Sequence, residues 1–90
     1  MERSGGHWLE TASDSATQAA VLQHALEVHP VLLTKGELLR ELGGKEGAFA
    51  ERDAIDRAVR DLGGAGLLHE HGEFAIPTRA ALRFSELRAF

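Results

Sequence analysis

Residues 67–77 are the segment that most restricts the folds open to this chain. Two short runs with strand character, residues 67–71 and 73–76, flank Gly72, and Pro77 closes the second run. Glycine permits a tight turn and proline cannot continue a strand ladder, so the segment predicts a β-hairpin. Because an isolated hairpin is only marginally stable in water, this one must pack against helices formed by the rest of the chain.

A first helix is predicted upstream, over about residues 16–28. The Ser-x-x-Gln capping box at Ser15 predicts its start, and Pro30 predicts its end. Its predicted inward stripe consists of Ala19, Leu22, Ala25, Leu26 and Val28. Residues 1–14 show no periodicity, so we expect a flexible N-terminal tail, in which Trp8 and Leu9 either stay mobile or pack onto the domain or a partner.

Two further helices are predicted before the hairpin. Residues 31–33 form a short apolar run that predicts an edge strand, and the Thr-x-x-Glu box at Thr34 predicts a helix over 35–42. After a glycine-rich turn, a third helix is predicted over about residues 50–65, and Gly66 is predicted as its left-handed C-terminal cap. Its inward positions are Ile55, Ala58, Val59 and Leu62.

A fourth helix is predicted over residues 79–89, because Thr78 is a favourable N-cap that follows Pro77. Its apolar stripe comprises Ala80, Ala81, Phe84, Leu87 and Phe90. This stripe either folds back onto the first helix or pairs with its copy in a homodimer. We therefore predict Phe84, Leu87 and Phe90 as a dimer or partner interface.

Size and composition predict one soluble domain over residues 15–90. The chain has 90 residues, of which 43% are hydrophobic and 27% charged, and it has no cysteine. Disulfides, thiolate zinc sites and thiol nucleophiles are therefore excluded. No stretch has the length of a membrane span and the N-terminus lacks the features of a signal peptide, so we expect a cytoplasmic protein without membrane contact.

The order of the predicted elements resembles that of the winged helix-turn-helix superfamily. The stretch Ala58–Leu68 resembles the end of a recognition helix entering the first wing strand, and Phe74–Leu82 resembles the return strand and following helix of bacterial winged-helix regulators. The resemblance covers about residues 16–88. It implies a mainly α fold with a small β-sheet: a three-helix core, a β-hairpin wing and a C-terminal helix. The alternative is a three-helix bundle with a separate hairpin.

The resemblance implies a transcription regulator that binds double-stranded DNA, with the third helix in the major groove. Arginine can donate two hydrogen bonds to guanine or pair with phosphate. We therefore predict DNA contacts from Arg52, Arg57 and Arg60 on that helix, supported by Lys35 and Lys45.

Charge distribution supports a second hypothesis, a winged-helix module that binds a protein and not DNA. The formal net charge is −4 and the pI is about 5.7, whereas DNA affinity draws on basic surfaces. Asp53 with Arg57 and Asp56 with Arg60 are i,i+4 pairs in the favourable order, which would neutralise two of the arginines. Acidic side chains also occupy the hairpin tip, where a DNA-contacting wing offers cations.

Neither a metal site nor an active site is predicted. His69 and His71 share a strand face, but no third ligand has recognisable spacing, so we interpret them as surface residues that gain charge in mildly acidic solution. The glycine pairs match no phosphate-binding loop, and no nucleophile has an evident base. We expect no enzymatic activity and no cofactor.

Overall fold

A computed structural model describes residues 2–42 and 48–89, and it describes side chains over 14–42 and 52–89. Four helices and one three-stranded antiparallel sheet lie in this part of the chain, which confirms the predicted mainly α fold with a small β-sheet. The elements in chain order are α1 (Glu2–Val28), β1 (Leu33–Thr34), α2 (Lys35–Leu42), α3 (Ala48–Gly64), β2 (Leu68–His71), β3 (Phe74–Pro77) and α4 (Arg79–Arg88).

The hairpin forms the centre and one edge of the sheet. The strand order is β1-β3-β2, so β1 and β2 each pair antiparallel with β3. His71 is the partner of Phe74, which leaves a two-residue turn of Gly72 and Glu73. Gly72 has a φ of +59° and Glu73 does not have a positive φ, as a type II′ turn requires. The predicted hairpin is confirmed.

The edge strand is shorter and later than predicted. Residues 31–33 were expected to pair, but β1 comprises Leu33 and Thr34 only. The backbone N–H of Val31 donates to the Val28 carbonyl at 2.8 Å, so the chain is still turning out of α1 at this point. The side chains of Val31 and Leu32 consequently remain 69% and 52% exposed.

One apolar core joins α1, α2, α3 and the inner face of the sheet. The four predicted inward residues of α3 are all buried, and Leu38 and Val59 are fully buried. On α1 the buried positions are Val21 and Ala25, so the predicted stripe is partly wrong: Ala19 is exposed. The cluster comprises Val21, Ala25, Leu33, Leu38, Ile55, Ala58, Val59, Leu62, Leu68 and Ala75.

Helix α1 starts much earlier than predicted. It begins at Glu2, so the predicted start near residue 16 is wrong and the segment predicted as a tail is helical from Glu2 onward. Extending an existing helix costs far less than nucleating one, and residues 2–14 contain no proline. The mobility of this segment stays a prediction, and the side chains of Trp8 and Leu9 lie outside the described part.

The capping box at the start of α2 is confirmed. The backbone N–H of Glu37 donates to the Thr34 hydroxyl at 3.1 Å, and the Thr34 N–H donates to the Glu37 carboxylate at 2.9 Å. The Thr34 N–H and the Thr34 hydroxyl both donate to the Glu37 carboxylate, and these two bonds, followed by the positive charge of Arg40, hold the pKa of Glu37 below its ordinary value of 4.5. Helix α2 has the predicted bounds.

The end of α3 is a Schellman motif centred on Gly66. Gly66 has a φ of +82°, its N–H donates to the Gly63 carbonyl at 3.1 Å, and the N–H of Leu67 donates to the Leu62 carbonyl at 2.9 Å. Gly66 is thus the left-handed cap that the sequence predicts, and α3 itself ends at Gly64.

Thr78 connects this motif to α4. Its hydroxyl accepts a hydrogen bond from the Ala81 N–H at 3.2 Å and donates one to the Gly66 carbonyl at 2.7 Å. Its own N–H donates to the Leu67 carbonyl at 3.1 Å. One residue therefore caps α4 and fixes the direction in which α4 leaves the sheet.

Among the described helices, none has an apolar stretch long enough to span a lipid bilayer.

Candidate nucleic-acid interface

Helix α3 turns one face to the core and the opposite face to solvent. Ile55, Val59 and Leu62 are at most 4% exposed, so they fix the rotation of the helix about its axis. Arg52, Arg57 and Arg60 all lie on the exposed side, as predicted. The position of these arginines follows from the buried stripe, which the core holds in place.

Arg57 is already paired with acidic side chains. Its guanidinium lies 3.8 Å from the carboxylate of Asp14 on α1 and 3.6 Å from that of Asp53 one helical turn earlier. The Arg57 side chain is 51% exposed, so water screens both pairs and each contributes less than about 1 kcal/mol to stability. A phosphate group would have to displace only these weak interactions.

Arg52 and Arg60 form no ion pair with an acidic residue in the part of the chain that the structure describes. The predicted i,i+4 pairing therefore forms for Arg57 but not for Arg60, because Asp56 does not reach the Arg60 guanidinium. Arg52 and Arg60 are eight residues apart, or about 12 Å along the axis at 1.5 Å per residue.

Of the two predicted lysines, Lys35 is paired with an acidic side chain of the hairpin. The amino group of Lys35 forms an ion pair with the carboxylate of Glu70 on β2, and the backbone N–H of Lys35 donates to the Glu73 carbonyl at 2.9 Å. The charge of Lys35 is thus matched within the chain, and these contacts join α2 to the hairpin. Lys45 lies outside the described residues.

The hairpin tip offers acidic and imidazole groups. Glu73, His69 and His71 are all exposed, and the two histidine rings stack nearly parallel with centroids 6.2 Å apart. Their cross-strand partners on β3 are Ile76 and Phe74. No group of three or more potential metal ligands occurs among the described residues.

A second exposed surface lies on α4. Ala81 is its buried residue, whereas Phe84 and Leu87 are 57% and 53% exposed. Of the predicted apolar stripe, Ala81 is buried and Ala80, Phe84 and Leu87 are exposed, so Phe84 and Leu87 are accessible to a partner, and the predicted interface itself stays a prediction. Phe90 lies outside the described residues. The guanidinium of Arg88 lies over the Phe84 ring, 5.9 Å from its centroid.

Two residues of the interface could not be identified from the sequence. Asp14 and Glu70 neutralise Arg57 and Lys35, yet each lies far from its partner in the chain: Lys35 and Glu70 are 35 residues apart. Helical spacing reveals pairs within one helix, such as Asp53 with Arg57, but no local pattern reveals pairs between elements.

Comparisons of the chain with protein-family models, with curated proteins and with solved structures give no match.

Proposed function

We propose that this chain is a DNA-binding domain of the winged-helix type that acts in transcription regulation, with α3 as the helix that enters the major groove. The observation that carries the proposal is the exposed face of α3, where Arg52 and Arg60 form no ion pair with an acidic partner among the described residues. The element order and the strand order β1-β3-β2 support the winged-helix type.

Acidic residues between the arginines set the mode of binding. Asp53 and Asp56 lie among them on α3, so this face carries little net charge. A carboxylate can accept a hydrogen bond from the amino group of cytosine, and an arginine can donate two to guanine. We expect the face to read G·C base pairs and to have low affinity for unrelated sequences.

The hairpin does not contribute phosphate contacts in this proposal. Glu73 would repel the backbone, and the charges of Lys35 and Glu70 are paired with each other. Binding therefore relies on α3.

Fluorescence anisotropy with random-sequence duplex DNA tests the proposal. If the three arginines of α3 each displace one counterion, the affinity falls about 40-fold between about 50 and 200 mM salt. Substituting both Arg52 and Arg60 with alanine should reduce the slope of log affinity against log salt by about 2. The control is the double substitution of Arg79 and Arg83 on α4, which removes the same charge and should change the slope little.

Two outcomes would refute DNA binding by α3. One is a complete lack of binding at about 20 mM salt by a protein whose circular dichroism shows it to be folded. The other is an equal loss of affinity in the α3 variant and the α4 control, which would indicate a general charge effect.

The second candidate function is a protein-interaction module. It is favoured by the Lys35–Glu70 ion pair, which removes a DNA-binding cation, and by the exposure of Phe84 and Leu87. The anisotropy measurement separates the candidates, since a module of this kind gives no salt-dependent DNA binding.

A further inference from the structure

A groove between α1 and α4 is the feature that the proposed function leaves unexplained. It has a volume of about 550 Å³ and lies on the side of α1 that faces α4. Leu22 and Leu26 contribute its apolar lining from α1, and Phe84 contributes from α4. Apolar surface of this kind gains free energy when a partner removes it from water.

Projecting and recessed apolar groups occur together on this face. Phe84 and Leu87 are exposed on α4; Phe84 borders the groove, whose lining from α1 includes Ala19, and Leu87 follows Phe84 three residues later on the same helix. A two-fold axis places the same patch of both subunits in contact, so exposed apolar side chains of one copy can enter the groove of the other.

The charges of the groove are also self-complementary. Glu27 on α1 and Arg88 on α4 both line it, and they form no ion pair with each other among the described residues. Glu27 accepts a hydrogen bond from the Gln23 amide at 3.2 Å, an exposed local contact. One acid and one base give a groove without net charge, which fits a second copy better than a strongly acidic or basic partner.

We propose that the chain forms a two-fold homodimer through this α1–α4 groove, with Phe84 and Leu87 of each copy packed into the groove of the other and Arg88 facing the partner's carboxylate at position 27. The residues that line the groove belong to α1 and α4 and include none of α3. The proposal therefore goes beyond DNA binding and does not depend on it.

Light scattering and sedimentation over about 10 to about 500 µM protein test the dimer. The wild-type chain should approach twice its mass of 9.7 kDa as the concentration rises. Leu87→Glu should raise the dimer dissociation constant at least about 30-fold, because it places a charge in an apolar contact. The matched control is Val31→Glu, which adds the same charge at another exposed apolar residue and should leave dimerisation unchanged.

A charge exchange tests the arrangement itself. Glu27→Arg and Arg88→Glu should each weaken the dimer, and the double variant should restore it.

The proposal is overturned if the wild-type protein stays monomeric at the highest concentration, or if Leu87→Glu and Val31→Glu dimerise equally well. It is also overturned if the double charge variant is folded but monomeric. A wild-type monomer that still binds DNA would remove the dimer and leave the proposed function intact.

Discussion

Thr34 and Thr78 both cap helices, but they stabilise different parts of the molecule. The hydroxyl of Thr34 accepts from the N–H of Glu37 and donates to the carboxylate of the same residue, so its hydrogen bonds stay within three positions. The hydroxyl of Thr78 accepts from Ala81 and donates to the Gly66 carbonyl, twelve residues earlier in the chain. Thr34 thus stabilises one helix, whereas Thr78 holds the hairpin exit, the end of α3 and the start of α4 together.

The largest expected difference is at Thr78. Thr78→Ala removes a helix cap and the hydrogen bond to Gly66, which should lower the free energy of unfolding by about 2 kcal/mol. For a domain of this size the melting temperature should fall by roughly 10 °C. Thr78→Ser retains the hydroxyl and is the control. A loss as large in the serine variant would show that the methyl group matters and the hydrogen bonds do not.

Substitution of Gly66, whose carbonyl accepts the hydrogen bond from Thr78, tests the same contact between the end of α3 and the start of α4. Its φ of +82° is unfavourable for any residue with a Cβ atom, and a Cβ there would meet nothing within 4 Å. Gly66→Ala should therefore destabilise by about 1–2 kcal/mol through the backbone alone. Gly64→Ala, in the last turn of α3, should instead stabilise by up to about 1 kcal/mol. Urea denaturation that gave both variants the same sign would contradict the assignment of Gly66 as the left-handed cap.

Thr34→Ala should cost about 1 kcal/mol, roughly half the effect at Thr78. The reason is that the backbone N–H of residue 34 can still donate to the Glu37 carboxylate after the hydroxyl is lost. Denaturant unfolding of both alanine variants under identical conditions gives the comparison. Equal losses would mean that the long-range hydrogen bond of Thr78 adds nothing to its role as a cap.

The smallest effect is the pH dependence of the Thr34 cap. Since the pKa of Glu37 is lowered in the folded state, its contribution to stability is fully present above its ordinary value of 4.5 and is lost as the pH falls through the folded pKa. The difference in stability between the wild type and Glu37→Gln should therefore shrink when unfolding is measured at progressively lower pH between neutral and acidic solution. A difference that grew on acidification would contradict the lowered pKa.

The contrast between the local contacts of Thr34 and the long-range contact of Thr78 also explains which features of the fold the sequence predicts. The Thr34 box, the bounds of α2, the left-handed Gly66 and the Gly72 turn depend on neighbouring residues, and all were predicted correctly. The buried face of α3 was also predicted, because its helical spacing is regular and its inward residues are consistently apolar.

Features that depend on distant residues could not be predicted in the same way. The orientation of α4 depends on the hydrogen bond from Thr78 to Gly66, so the sequence left open whether the stripe that contains Phe84 and Leu87 folds back onto α1 or faces a partner, and the structure has both side chains exposed. The ion pair of Lys35 depends on Glu70, which lies on a different element of the fold. The early start of α1 has a different cause: helix extension from a stable segment leaves no periodic apolar signal.

The strand order β1-β3-β2 has a consequence for synthesis of the chain on the ribosome. The central strand, β3, is the last of the three to be made, and both other strands pair only with it. A nascent chain that ends before Phe74 therefore contains two strands with no sheet to join. The sheet can therefore form only after most of the chain has been translated. Until then the apolar residues of β1 and β2 can be buried only against the helices.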